Sequence, residues 1–362
     1  MLVYFGTYTQ TTSKGIYVIR FDPAAGTMSA PELAAEAKNP TFVSLDPSGR
    51  YLYATGELPI AFTADKAAGD ASAFAIERPS GKLRLLNQEP TGSGATTHNV
   101  VDATGQMLIV ANYAAAYVAA LPIKPDGSLG PRSAFVDHLG RAPVGPNRER
   151  QTQAHAHSVT LSPDNRFVFV CDLGLDRVFI YRIDPATATL QPNNPADVAA
   201  PPGAGPRHSK FSPDGRFFYV ANEMGATVTR YDYDAARGAL KLEESYSTLP
   251  PGLVLPTNTV AELRFHPSGQ FLYVSNRGHD SIAVFACDPA TGKLTPVEIV
   301  PCGGKHPRNF ALDPSGHWLL CANRDTNNIV LFAVDQATGK LTATGRQVSV
   351  AQPVCVLFDP KS

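Results

Sequence analysis

Residues 206–223 read PRHSKFSPDGRFFYVANE: a short alternating run, a Ser-Pro-Asp-Gly turn, then a second run rich in aromatic and β-branched residues. Proline presets one backbone angle of such a turn and glycine accepts the left-handed one, so the stretch reads as two short strands joined by a tight reversal. The unit recurs along the whole chain. Earlier copies are NPTFVSLDPSGRYLYATG (39–56), TTHNVVDATGQMLIVANY (96–113) and AHSVTLSPDNRFVFVCDL (156–173). Later ones are VAELRFHPSGQFLYVSNR (260–277), HPRNFALDPSGHWLLCAN (306–323) and a truncated PVCVLFDP (353–360). With Pro47, Ala103, Pro163, Pro213, Pro267, Pro314 and Pro360 as equivalent positions, the copies are 56, 60, 50, 54, 47 and 46 residues apart. A third strand follows, as in RVFIYRID, SIAVFACD and NIVLFAVD, and turns such as DPATGKL lead to a fourth. That is the period and content of a β-propeller blade.

The expected fold is therefore all-β, a seven-bladed β-propeller forming one domain over residues 1–362. The last copy stops after one strand, while LVYFGTY and GIYVIRFD begin the chain with no turn motif before them. They read as the second and third strands of the seventh blade, which both termini then close, pairing an edge that would otherwise stay open. Composition agrees: 31 basic against 32 acidic residues, 43% hydrophobic, with 31 prolines and 29 glycines. The five scattered cysteines (Cys171, Cys287, Cys302, Cys321 and Cys355) read as reduced core thiols rather than a disulfide framework. No leader-like segment precedes the first strand and no apolar run approaches membrane-spanning length, so the protein is expected to be cytoplasmic, without a membrane partner. A net charge of −1 with no basic stripe argues against nucleic acid as a partner.

Aligning the copies turns the repeat into columns. Six residues before the proline position stand Thr41, Thr97, His157, Arg207, Ala261, Arg308 and Val354; one residue later stand Phe42, His98, Ser158, His208, Glu262, Asn309 and Cys355. Eight residues beyond the turn glycine position stand Glu57, Tyr113, Leu173, Glu223, Arg277 and Arg324. The start of the inner strand lies beside the end of the second strand in an antiparallel pair, so these columns should meet at one mouth of the central channel. His157, Arg207, Glu223, Arg277 and Arg308 are then expected to converge as a cationic pocket with one carboxylate, a set suited to planar anions. His155 and His157 form an H-x-H pair, but no acidic or cysteine ligand completes a metal site, and neither metal nor cofactor is expected. Asn112, Asp172, Asn222, Asn276 and Asn323 recur just before the second column and read as caps of strand ends.

The segments VGPNRERQTQAHAHSVTLSPDNRFVFVCDLGLDRVFIYRID, GPRHSKFSPDGRFFYVANE, AELRFHPSGQFLYVSNRGHDSIAVF and HPRNFALDPSG resemble the seven-bladed lactonase family, over essentially the whole chain. That family includes propeller-type 6-phosphogluconolactonases and the 3-carboxy-cis,cis-muconate lactonizing enzymes. The resemblance implies an active site of His157, Arg207, Glu223 and Arg277, with Arg308 at a further anion-binding position. His98 and Tyr113 are carried over as additional substrate-binding candidates, and His155 of the H-x-H pair is a further one. The chain departs from the commoner family pattern in GPNRERQTQAHAH, where proline is usual after the asparagine and again before the first histidine.

Opening a lactone needs a base for the attacking water, a donor for the oxyanion and a proton for the leaving alkoxide. His157 or Glu223 could be the base, the other positioning water or supplying the proton. Arg207 would polarise the carbonyl, and Arg277 and Arg308 would hold the anionic part of a small-molecule lactone. No G-x-S-x-G elbow is present, which disfavours an acyl-enzyme. Two alternatives remain at this point: lactone formation from a carboxymuconate by the same residues, and a non-catalytic propeller scaffold.

Overall fold

A computed structural model of the chain describes residues 1–57, 71–92 and 95–362. Among the described residues there is no α-helix, and the strands form seven sheets, six of four strands and one of five. Each sheet is an antiparallel meander running from an inner to an outer strand. Pro206–Phe211, Phe217–Asn222, Thr227–Asp234 and Ala239–Ser247 make the blade from which the repeat was first read. Its turn is closed by Gly215 N donating to Ser212 O at 3.0 Å or less, with Gly215 at φ +72°. The same left-handed position is held by Gly49, Gly105, Gly269 and Gly316, and by Asn165 in the one copy that lacks glycine there. Asparagine tolerates this conformation better than other side chains with a Cβ, which explains the exception.

The ring closes as the truncated copy requires. Pro353–Asp359 is the inner strand of the last blade and pairs with Leu2–Thr7, which pairs with Gly15–Asp22. Alternation along Leu2–Thr7 seals both sides of the joint: Leu2 and Tyr4 pack with Leu52 and Phe74 of one neighbouring blade, Val3 and Phe5 with Leu320 and Leu331 of the other. Cores of this kind lie between successive blades. Phe169 and Phe218 face each other from adjacent blades at a ring separation of 5.0 Å, each fully buried. Burying a side chain of this size stabilises by roughly 1.5–3 kcal/mol. All five cysteines are buried free thiols, as expected for core positions.

One feature of the inner strands positions the site. The ladder slips between Pro206 and His208 against Asn222 and Ala221, leaving Arg207 unpaired as a β-bulge. The same slip leaves out Thr41, Thr97, His157, Arg308 and Val354 in five other blades, and in the remaining one it spans Ala261 and Glu262. The column six residues before the proline is thus a ring of bulges. A bulged residue is freed from the alternation of its strand and can be aimed elsewhere.

Candidate active site

Arg207, Glu223 and Arg277 meet at the channel mouth. Glu223 follows the second strand of its blade, and its backbone is clamped on both sides: its N–H donates to Gly205 O (2.7 Å) and its carbonyl accepts from Val260 N (3.0 Å). Gly205 stands at φ +67°, a left-handed conformation that glycine adopts without strain, and a Cβ there would lie 2.6 Å from Met224 Cε, so glycine suits this clamp. Glu223 Oε2 accepts from Arg207 Nε (3.0 Å) and is 3.0 Å from Arg277 Nη2. Arg207 Nη1 also donates to Ala261 O (2.6 Å), and Arg277 Nη2 to Val260 O (2.9 Å). Arg207 Nη2 and Arg277 Nη1 have no partner among the described residues and stay open to a ligand.

The second oxygen of Glu223 is taken by a residue that the columns did not reveal. Arg150 reaches in from the loop before the third inner strand, ion-pairs with Glu223 Oε1, and lies 3.4 Å from the Tyr113 hydroxyl. No repeat position corresponds to it, so alignment of the copies gave no signal. This loop is where the sequence departs from the proline pattern of the family it resembles. It is pinned instead by glutamines: Asn147 N donates to Gln151 Oε1 (2.9 Å), Gln151 Nε2 to Leu173 O (2.9 Å) and Gln153 Nε2 to Ala114 O (2.8 Å).

His157 stands at the same mouth, buried, with the Tyr113 ring edge-on at 5.6 Å and His208 at 5.2 Å. Neither ring nitrogen has a hydrogen-bond partner among the described residues, and Nδ1 is fully enclosed. Burial first, then the charge of Arg207, holds its imidazole well below the ordinary histidine range. Glu223 is also shifted down, but by its neighbours' charges rather than by burial. Burial alone would raise its pKa, but Arg277, Arg207, His157 and Arg150 together outweigh burial and hold the carboxyl well below its usual range. Burial, then Arg277 and Arg308, pull Arg207 down to about 9, which leaves it charged at neutral pH.

Arg308 is also at the mouth, but with its own counterion. Its Nη2 lies 3.6 Å from Glu57 Oε2, which accepts from the Tyr8 hydroxyl at 2.8 Å, and the guanidinium sits 5.4 Å from the centre of the Tyr8 ring. Glu57 shares a column with Glu223 and was not singled out from sequence. Arg324, in the column of Arg277, turns to the rim and pairs with Asp325 at 2.6 Å. His155 precedes the strand rather than lying on it; it stacks flat on Tyr113 at 4.3 Å, and its N–H donates to Asp172 Oδ1 (2.8 Å). Asp172 caps the strand end as expected, and its other oxygen bonds a buried His138 at 2.8 Å.

His98 is not at the mouth. It belongs to a deeper layer formed by the residues that follow the bulges, stacked on Phe42 at 3.8 Å and against His208 at 5.1 Å. The bulge separates neighbours in sequence: His157 and Arg207 serve the mouth, whereas His98 and His208 line the interior behind it. Among the described residues no group of three or more His, Cys, Asp or Glu could hold a metal ion.

With this geometry in place, comparison with known proteins is decisive. Residues 2–358 match the family described as Lactonase, 7-bladed beta-propeller. The chain belongs to that family. It is 34% identical to a 6-phosphogluconolactonase of Bacillus subtilis over 98% of this chain and 97% of that one. A 6-phosphogluconolactonase of Formosa agariphila is 31% identical, with 86% of each chain covered. The solved structure of a periplasmic gluconolactonase from Pseudomonas aeruginosa is similar throughout, with a TM-score of 0.91, 35% identity and 99% of each chain covered. No helix among the described residues is long and apolar enough to cross a membrane.

Proposed function

We propose that this lactonase hydrolyses a sugar-derived lactone, 6-phosphogluconolactone or a related aldonolactone, with His157 as the base. The observation that supports this assignment is the state of Glu223. Both of its oxygens are engaged by guanidinium groups and its affinity for a proton is strongly reduced, so it is a poor base. His157 is neutral at pH 7, and its nitrogens are unspent. In this reading His157 takes a proton from water as the water oxygen attacks the lactone carbonyl. The open donors of Arg207 and Arg277 stabilise the oxyanion, the ring C–O bond breaks, and the imidazolium returns the proton to the departing alkoxide. Glu223 holds the arginines in place and balances their charge.

The phosphate preference rests on charge. Arg150, Arg207, Arg277 and Arg308 against Glu223 and Glu57 leave two positive charges at the mouth, a match for a phosphate dianion. Beside Arg308 opens a cavity of about 400 Å³ lined by Tyr8, Gln10, Glu57, Arg324, Asp325 and Gln352, polar groups suited to sugar hydroxyls. Five buried free thiols suit a reducing compartment, and this reading places the enzyme in the cytoplasm, unlike its Pseudomonas relative.

The test follows acid release from 6-phosphogluconolactone and from gluconolactone, with 3-carboxymuconate cycloisomerisation run in parallel, on the wild type, His157→Gln and Glu223→Gln. The expected result is lactone opening well above the spontaneous rate, falling at least about a hundredfold in His157→Gln, the scale of a lost general base. Removing the Glu223 charge leaves three guanidinium groups without their counterion, so that variant is expected to lose stability as well as activity. Lactone opening at the spontaneous rate by wild-type protein would overturn the reading.

A further inference from the structure

Behind the mouth the channel carries a second set of charges that the reaction does not use. Lys210 and Arg264 occupy the same position in neighbouring blades, three residues before Pro213 and Pro267. Alternation along each inner strand puts Lys210 on the face of His208 and Arg264 on the face of Glu262. Both side chains are half-buried, near the strand ends that point away from the mouth. Three residues of strand separate Lys210 from Arg207, about 10 Å, so this region is distinct from the Glu223 cluster.

The one carboxylate bearing on this pair among the described residues is already engaged. Glu262 accepts from Asn309 Nδ2 and from Leu263 N (3.1 Å), its Oε2 is 3.2 Å from His208 Nδ1, and it forms a long ion pair with Arg264 Nη2 at 3.5 Å. The hydroxyls nearby are spent as well: Thr160 Oγ1 on Ser209, and Ser44 Oγ on Asn99. Lys210 Nζ has no hydrogen bond or ion pair among the described residues, and Arg264 Nε is buried without a partner. Burial, then the charge of Arg264, draws the lysine down to about 8, which still leaves it mostly charged at neutral pH. Two cations and one carboxylate thus leave one positive charge uncompensated in a half-buried stretch of the channel. Charges in such surroundings are ordinarily paired.

We propose that the end of the channel opposite the active-site mouth binds a small inorganic oxyanion, held between Lys210 Nζ and the exposed part of the Arg264 guanidinium. A guanidinium edge presents paired donors in the plane that an oxyanion needs, and the ammonium adds a point charge at its side. The site is independent of which lactone the mouth accepts.

Inorganic phosphate is the probe, titrated by calorimetry at pH 7.5. Because phosphate can also enter the mouth, the comparison is made on an Arg308→Met background, with and without Lys210→Met and Arg264→Met. The expected result is phosphate binding by Arg308→Met that weakens at least tenfold when the second pair is removed. Unchanged binding after that removal would overturn the proposal, as would no binding by Arg308→Met itself. Lys210→Met alone supplies a check on folding and a second readout. Removing an unpaired, half-buried ammonium is expected to raise the thermal midpoint in phosphate-free buffer, and adding phosphate is expected to raise the wild-type midpoint more than that of the variant. A midpoint that responds equally to phosphate in both proteins would count against the site.

Discussion

Mild acid should destabilise this propeller before any carboxylate titrates, and the channel histidines set the size of the effect. His98, His157 and His208 lie in contact as a buried series, at ring separations of 5.1 and 5.2 Å. Each is held well below the ordinary value of 6.5, in every case by burial first. His98 also faces His208, Lys210 and Arg264, which lower it further, and Glu262, which opposes them. The folded chain keeps these rings neutral while the unfolded chain protonates them, so stability is fully present above pH 6.5 and is lost as pH falls below it. Between pH 7.5 and 5.5 each ring contributes a loss of about 1.4 kcal/mol, and the three together about 4 kcal/mol. His306, drawn down to about 3, adds a loss of similar size to one ring. Substituting His98→Gln isolates one ring, since its effect on stability at pH 7.5 cancels when only the pH-dependent loss is compared. Urea unfolding at pH 7.5, 6.5 and 5.5 should show that loss reduced by about 1.4 kcal/mol in the variant. Potentiometric proton uptake on unfolding at pH 5.5 checks the same quantity without assuming a two-state transition, and should fall by about 0.9 proton. An acid loss identical in wild type and His98→Gln would mean that His98 protonates within the folded ring, and the reasoning from burial would fail.

Two further outcomes follow from the mouth. The base must be neutral to act, so kcat/KM should stay level through pH 7 and decline only well below pH 6.5, once His157 protonates in the folded enzyme. Arg308→Met removes one of the charges that lower His157 and should move this acid limb upward; a limb that stays in place argues against His157 as the titrating group. Arg150→Ala should open Glu223 Oε1 to solvent and lower kcat/KM by roughly ten- to a hundredfold, the scale of one lost charge-assisted contact, with little change in stability because the Arg150 side chain is 39% exposed. Steady-state kinetics together with a thermal melt separate these two effects, and activity equal to wild type would show that the arginine is an idle strap.

The ring, the seam between the termini and four members of the Glu223 cluster were legible because each depends on a position in a repeat. His157, Arg207, Glu223 and Arg277 break columns whose other members are ordinary, and a column fixes a place in space once the strand pairing is antiparallel. What escaped depends on something outside the repeat. Arg150 comes from a loop between blades, and Tyr8 stands just after the Leu2–Thr7 strand that closes the ring. His98 was expected at the mouth because it lies one residue from the column of Thr97 and His157. The bulge makes that single step a change of layer, and an extra unpaired residue leaves no mark on apolar alternation in so short a strand. Arg324 shows the converse: it holds the right column, yet Asp325 next to it in sequence captures the guanidinium at the rim.

The bulge ring also explains how one scaffold can serve lactones as different as those named for its relatives. The ladder slips at Thr41, Thr97, Arg308 and Val354 alike, so the irregular backbone does not depend on what side chain the bulged residue bears. Replacing that side chain changes the floor of the pocket without disturbing the pairs on either side of it. Selection for a new substrate can therefore act on positions that stand outside the inter-strand ladder, and blade cores such as Phe169 and Phe218 take no part in the change. The constraint falls elsewhere. Arg207 spends one donor on the carbonyl of Ala261, and Arg277 spends two on those of Thr259 and Val260, so the backbone of the Thr259–Phe265 strand is itself part of the cationic cluster. That strand is also the one in which the irregularity spans two residues. The inner strand with the longer irregularity is thus the one whose carbonyls hold the arginines, and its geometry should be the least free to drift.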